Sequence, residues 1–196
     1  MSKAQKPDGD RTRDRVLEAA GRLFGLYGFR RTTLADIARE AGLSRQSVYS
    51  RFAGKEAVLT ALAEYLKQQA LAAAAAAWRD EATLADNLAA TVLAKDLPLY
   101  RLLHASPHGA DLLAVDGALT AAVAAELERR FTALLARRLE AVQRGGASLA
   151  PYGGSRALAR TLARAAGGLK AEASGEAAYV AEVQRLCRLA GRAIVG

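Results

Sequence analysis

At 196 residues, of which 52% are hydrophobic, the chain can bury a sizeable core as one medium domain or as a small head on a larger body. Abundant alanine, only 4 prolines and no long alternation of Val, Ile and Thr exclude a β architecture and predict an all-α protein. The net charge of +8 favours an anionic partner, the lone Cys187 excludes an internal disulfide, and the short apolar runs and polar first ten residues give neither a membrane span nor a signal core; a cytoplasmic protein without cofactor or metal is expected.

Residues 1–11 read as a disordered polar leader, with Lys3 and Lys6 offset by Asp8 and Asp10. A first helix is expected from about Arg13 to Tyr27. Its apolar stripe is Val16, Ala20, Leu23, Phe24 and Tyr27, and Gly28 ends it. Arg30 and Arg31 follow, placed where Arg31 could flank a phosphate.

The next segment carries the strongest signal. Thr33 is an N-cap with Asp36 at capping-box distance, and Leu34, Ile37, Ala38 and Ala41 share one helical face. Gly42 ends that helix, Leu43 plugs the angle, and Ser44 caps a second helix whose Val48 and Phe52 turn inward. This is helix-turn-helix spacing, in which the second helix can enter the major groove of DNA. The outward residues have the chemistry to read a groove. Arg45 matches guanine, Gln46 adenine and Ser47 either, and the Tyr49 hydroxyl can reach phosphate. Charge agrees, since residues 1–56 hold 12 basic and 7 acidic side chains, against 16 and 13 in the remainder.

A long helix starts after Gly54, with Lys55 in a first turn where a cation opposes the helix dipole but suits a nearby phosphate, and it ends near Trp78. Helices Leu84–Leu93 and Leu97–Ala105 follow, then a loop around Pro107, and a long helix from about Leu119 to Arg144. Gly145 and Gly146 end that helix, 147–154 read as a flexible link, and helices Ser155–Glu172 and Glu176–Ile194 close the chain. The domain expectation is therefore a leader (1–11), a DNA-binding head (12–54), and a helical ligand-binding and dimerisation body (55–196). The stripes Leu158, Leu162, Ala165, Leu169 and Tyr179, Val183, Leu186, Ala190 could pack between two chains as a four-helix interface or on their own chain.

From Val16 to about Leu62 the chain resembles the TetR family of bacterial repressors. The resemblance rests on Val16–Phe24, Tyr27-Gly28-Phe29, Thr32-Thr33-Leu34, Ile37-Ala38, Ala41–Ser44, Val48-Tyr49, Phe52 and Lys55-Glu56. It implies a homodimer through the last two helices (about 155–194), a ligand pocket in each body, and a palindromic operator. It also implies phosphate contacts at Thr33, Tyr49 and Lys55 and base contacts at Arg45, Gln46 and Ser47, with Ser44 beside them. Gln46 stands where many relatives have Gly, so a different operator is implied. The sensing role is carried by analogy, with Tyr65, Trp78, Tyr100, His104 and Phe131 as candidate walls of a pocket for a small apolar or amphipathic ligand. Two alternatives stand beside this repressor: a ligand-independent DNA binder, and a metal-dependent enzyme using His104, His108 and Asp111. The enzyme is the weaker, since Pro107 breaks the helix that would align the histidines.

Overall fold

The computed structural model describes residues 8–104, 107–109 and 111–195. Among these residues the chain forms helices α1 (Asp8–Tyr27), α2 (Leu34–Glu40), α3 (Arg45–Tyr49), α4 (Lys55–Ala76), α5 (Leu84–His104), α6 (Asp111–Val115), α7 (Gly117–Arg144), α8 (Gly154–Glu172) and α9 (Glu176–Val195). The fold is all-helical, and no helix of the described residues is long and apolar enough to cross a membrane. Contacts divide the chain into two compact units. The first runs to Lys67 and includes Tyr100–Val123; the second comprises Gln68–Leu99 and the chain from Ala124 onward. This division differs from the expected boundary at 54/55 because the opening turns of α4 bury Val58, Ala61 and Leu62 in the core of the first unit.

The first unit is built on α1, whose Val16, Leu17, Ala19, Ala20 and Phe24 are sealed from solvent against Ile37, Ala38, Val48 and Phe52. Three local expectations change here. Helix α1 begins at Asp8, so residues 8–11 are not leader coil; residues 1–7 lie outside the described residues. Tyr27 closes no core, being 57% exposed at the last helical position before Gly28 takes φ +84°. The stretch after Pro107 contains the short helix α6, whose Leu112 joins this core.

In the second unit α5 is one continuous helix through Pro98, where two helices were expected. The pyrrolidine removes a single N–H bond and does not end the helix in this packed setting. The expected flexible link 147–154 is instead tied down. Leu149 is fully buried, Ala150–Tyr152 form a 3-10 turn, and the Tyr152 hydroxyl donates to the Ala193 carbonyl. Helices α8 and α9 follow nearly as the sequence predicts, yet their stripes do not face outward. Leu158, Leu162, Tyr179 and Val183 are buried in the chain's own core, and Leu169, Leu186 and Ala190 pack against it. The unit needs these residues to close over Phe131, Leu135 and Leu139 of α7.

That core encloses a polar group. Lys95 is 1% exposed, with Nζ 2.5 Å from Glu128 Oε1, 3.5 Å from Asp96 Oδ1 and 4.3 Å above the Phe131 ring. Asp96, also sealed, accepts from Lys170 Nζ and the Tyr179 hydroxyl at 2.7 Å each. Lys95 and Asp96 are the sealed charges, and each is balanced by a partly exposed partner, Glu128 and Lys170, which is what allows them below the surface.

Candidate nucleic-acid interface

Residues 33–52 form the expected pair of helices with each terminus closed by its own chemistry. At the start of α2, Thr33 is extended (φ −111°, ψ 160°) and the capping box is complete. Asp36 N–H donates to Thr33 Oγ1 at 3.2 Å, and Asp36 Oδ2 accepts from the Thr33 N–H at 3.1 Å and from its hydroxyl at 2.6 Å. The Thr33 hydroxyl beside Asp36 holds that carboxyl below its ordinary value, with Arg39 adding to the effect at 2.7 Å. The Thr33 hydroxyl proton is thus engaged inside the chain.

The turn is a full Schellman arrangement. Gly42 takes φ +63°, its N–H bonds the Arg39 carbonyl at 3.1 Å, and the Leu43 N–H reaches back to Ala38 at 2.9 Å. Arg15, from the middle of α1, donates to the Ala41 carbonyl at 2.6 Å and to Gly42 at 3.3 Å. Sequence reasoning did not single out this arginine, because nothing local marks a side chain that caps a helix 26 residues away. Ser44 then caps α3 by accepting from the Ser47 N–H at 3.1 Å.

Within α3 only Val48 is buried, at 0% exposure, and Phe52 follows it inward. Arg45, Gln46, Tyr49, Ser50 and Arg51 are exposed, and Ser47 is half-buried. Arg51 folds back so that its Nη1 donates to the Ser47 carbonyl at 2.8 Å and hydroxyl at 3.1 Å. Arg45 has no such tether among the described residues, so its donors face outward unspent. Arg30 and Arg31 are exposed in the loop before α2. Lys55 is drawn elsewhere: its Nζ donates to the carbonyls of Phe29 at 2.7 Å and Arg30 at 3.2 Å, and it lies 4.5 Å from the Phe29 ring centroid. It therefore fixes the α1–α2 loop, whatever else it touches.

The candidate pocket residues do not assemble within either unit. Tyr65, Tyr100 and His104 belong to the first unit, and Trp78 and Phe131 to the second. The Tyr65 hydroxyl donates to Glu18 at 2.9 Å, and burial with that carboxylate pushes its pKa up. Tyr100 and His104 stack with centroids 4.3 Å apart; Trp78 lies under Arg138; Phe131 is fully buried. Of the suggested metal group, the His108 backbone N–H is bonded to the Gly25 carbonyl, while the Asp111 side chain lies outside the described residues. No cluster of three or more metal-ligating side chains occurs among the described residues.

Comparisons with known proteins converge on this region. Residues 16–62 match the family model for bacterial regulatory proteins of the tetR family. The HTH-type transcriptional regulator TtgR of Pseudomonas putida is 40% identical over 68 residues, covering 35% of this chain and 32% of the relative. YerO of Bacillus subtilis, an uncharacterized HTH-type regulator, is 40% identical over 53 residues, covering 27% and 18%. The matched stretch spans a third or less of these relatives' lengths. Among solved structures, a TetR-family regulator from Rhodococcus sp. aligns with TM-score 0.63 and 18% identity over 95% of this chain and all of its own. Salmonella enterica GusR gives 0.62 and 20%, over 95% of this chain and 97% of its own. At such identities these two likenesses concern the fold.

Proposed function

We propose that the chain is a transcriptional regulator of the TetR family rather than an enzyme, and that it is a repressor that binds a palindromic operator as a homodimer and leaves it when a small ligand occupies the body; the match of residues 16–62 to the family model supports this reading. The observation that carries this reading is α3, a capped helix whose buried Val48 fixes an outer face of Arg45, Gln46 and Tyr49. In the proposed complex Arg45, Gln46 and Ser47 read base edges. Arg31, Tyr49 and the Lys55 charge hold phosphates, with Thr33 and Ser44 offering backbone groups at helix starts.

One such helix covers too little DNA for tight binding, so two copies are required. With the inner stripes of α8 and α9 used in their own core, the proposed contact between copies falls on the opposite faces. Thr161 and Gly168 of α8 are exposed there, and so is Leu189 of α9, at 65%. The ligand acts by binding more tightly to a dimer whose heads no longer match successive grooves.

The test is to incubate the purified protein with fragments of its source genome and sequence what it retains. Enrichment of one inverted repeat is expected, with affinity falling steeply as salt rises. Equal retention of selected and random DNA at physiological salt would overturn the reading.

A further inference from the structure

The second unit holds a cleft of about 630 Å³ between α4, α7 and α8 that the reading above does not use. Its apolar wall comes from Leu71, Ala133, Leu134 and Ala136. Its polar lining is Arg129, Arg130, Arg137, Arg156 and Arg160, with Thr132 and one acidic residue, Glu140. The second unit contains fourteen basic and ten acidic side chains, an excess of four. The cleft lining carries five arginines against one acidic residue, Glu140.

The arginines are not equivalent. Arg129 and Arg130 both bond Glu126, at 2.8 and 2.5 Å. Glu140 has its Oε1 3.4 Å from the Ser155 hydroxyl. Arg137, Arg156 and Arg160 have no carboxylate or carbonyl partner among the described residues. Arg156 and Arg160 stand one turn apart on α8, where like charges repel, and Arg156 sits in a first turn that has no acidic residue. Such an arrangement is locally unfavourable until an anion arrives, and a guanidinium is the side chain best shaped to take a carboxylate or phosphate in two parallel bonds.

We infer that this cleft binds an amphipathic organic anion, its carboxylate or phosphate held by Arg137, Arg156 and Arg160 and its hydrocarbon part laid on Leu71 and Leu134. The site differs from the aromatic set expected from sequence. It supplies a ligand class for the sensing role and rests on that role only for its consequence at DNA.

Binding is therefore measured without DNA, by calorimetry on the full chain, with decanoate and decyl phosphate as anionic probes. Decyltrimethylammonium serves as the cation of equal chain length, and acetate and inorganic phosphate as head groups alone. Saturable binding of at least one decyl anion is expected, with none for the cation and little for the bare head groups. Which decyl anion binds more tightly distinguishes a carboxylate from a phosphate source. The double variant R156Q/R160Q should weaken that binding by about tenfold or more, while R188Q/R192Q on α9 leaves it unchanged. Equal binding of anion and cation, no binding of either anion, or equal weakening by both variants would overturn the proposal. So would a change of oligomeric state in R156Q/R160Q without any effect of decanoate or decyl phosphate, which would make the cleft an interface between copies. Failure to bind an operator leaves this result standing, and failure here leaves operator binding standing.

Discussion

Asp96→Ala tests whether the buried charges of the second unit hold it together. Asp96 is 3% exposed, and its two oxygens accept from Lys170 and Tyr179 at 2.7 Å, with Lys95 3.5 Å away. Lys170 is 30% exposed, so its ammonium can turn to water at little cost. Lys95 keeps Glu128 at 2.5 Å. Tyr179 is 0% exposed, so its hydroxyl cannot turn to water, and burial with the Asp96 charge has already pushed its pKa up. Removing one member of a buried pair costs about 3–5 kcal/mol, and the remaining routes for the lysines put this case at the lower end, about 3 kcal/mol. For a chain of this size that lowers Tm by about 6–12 °C. The assay is thermal and urea denaturation followed by circular dichroism at one fixed protein concentration, because a self-associating protein's midpoint depends on concentration. Tyr179→Phe alone should cost less than Asp96→Ala, since it removes a single neutral donor and leaves the Asp96 carboxylate paired with Lys170. A loss under about 1 kcal/mol with an unchanged m value would refute the reasoning, since even a single buried hydrogen bond is worth that much.

Three further outcomes follow from local chemistry. Thr33→Ala should cost the head about 0.5–2 kcal/mol, and an NMR titration should show the Asp36 midpoint rising. Its folded pKa is depressed, so its contribution is present above the ordinary aspartate range and lost as pH falls through the folded value. Cys187 is buried and its thiol pKa is pushed up to about 11, so it should resist a thiol reagent at pH 8 until urea is added; because this pKa is raised, the stability from its neutral form is full below the ordinary thiol value and is lost as pH rises through about 11. Lys55→Met should lower Tm without DNA and weaken binding to all sequences alike, because the ammonium bridges the Phe29 and Arg30 carbonyls; an unchanged Tm would make it a phosphate contact alone.

What the sequence made legible was local. The Thr33 and Ser44 caps, the Gly42 turn and the inward Val48 each depend on neighbours within a few residues, and each has a residue type that few other roles demand. The helices α8 and α9 were legible for the same reason, but which way their stripes face was not. An apolar stripe reports that something covers it, and a partner chain and the chain's own α7 give the same pattern. The long-range side chains were hidden too. Arg15 and Lys95 look in sequence like ordinary surface cations, and only the fold brings them to a helix end and a buried carboxylate, while Lys55 stood out by its place in a first turn but not by its bonds to the Phe29 and Arg30 carbonyls. The pocket expectation rested on residue size alone, and its members divide between the two units, Tyr65, Tyr100 and His104 in the first and Trp78 and Phe131 in the second.

The polarity of α3 leads to a prediction about the operator itself. Arg45 offers only donors. The Ser47 hydroxyl already accepts from Arg51 at 3.1 Å, so one of its two acceptor sites is occupied while its proton remains free to donate. Two of the three base-reading candidates are thereby biased toward donating, and guanine is the base that presents two acceptors, N7 and O6, in the major groove. The selected half-site should therefore carry guanine at the Arg45 position and an acceptor edge at the Ser47 position. Replacing Arg45 by Ala should then remove about 1–3 kcal/mol of discrimination at one base pair. Arg51→Met should relax the Ser47 position, since the hydroxyl regains its second acceptor site, while leaving the guanine preference intact. A half-site of A·T pairs alone, or an Arg51→Met protein with an unchanged preference at every position, would show that the tether between Arg51 and Ser47 has no part in reading DNA.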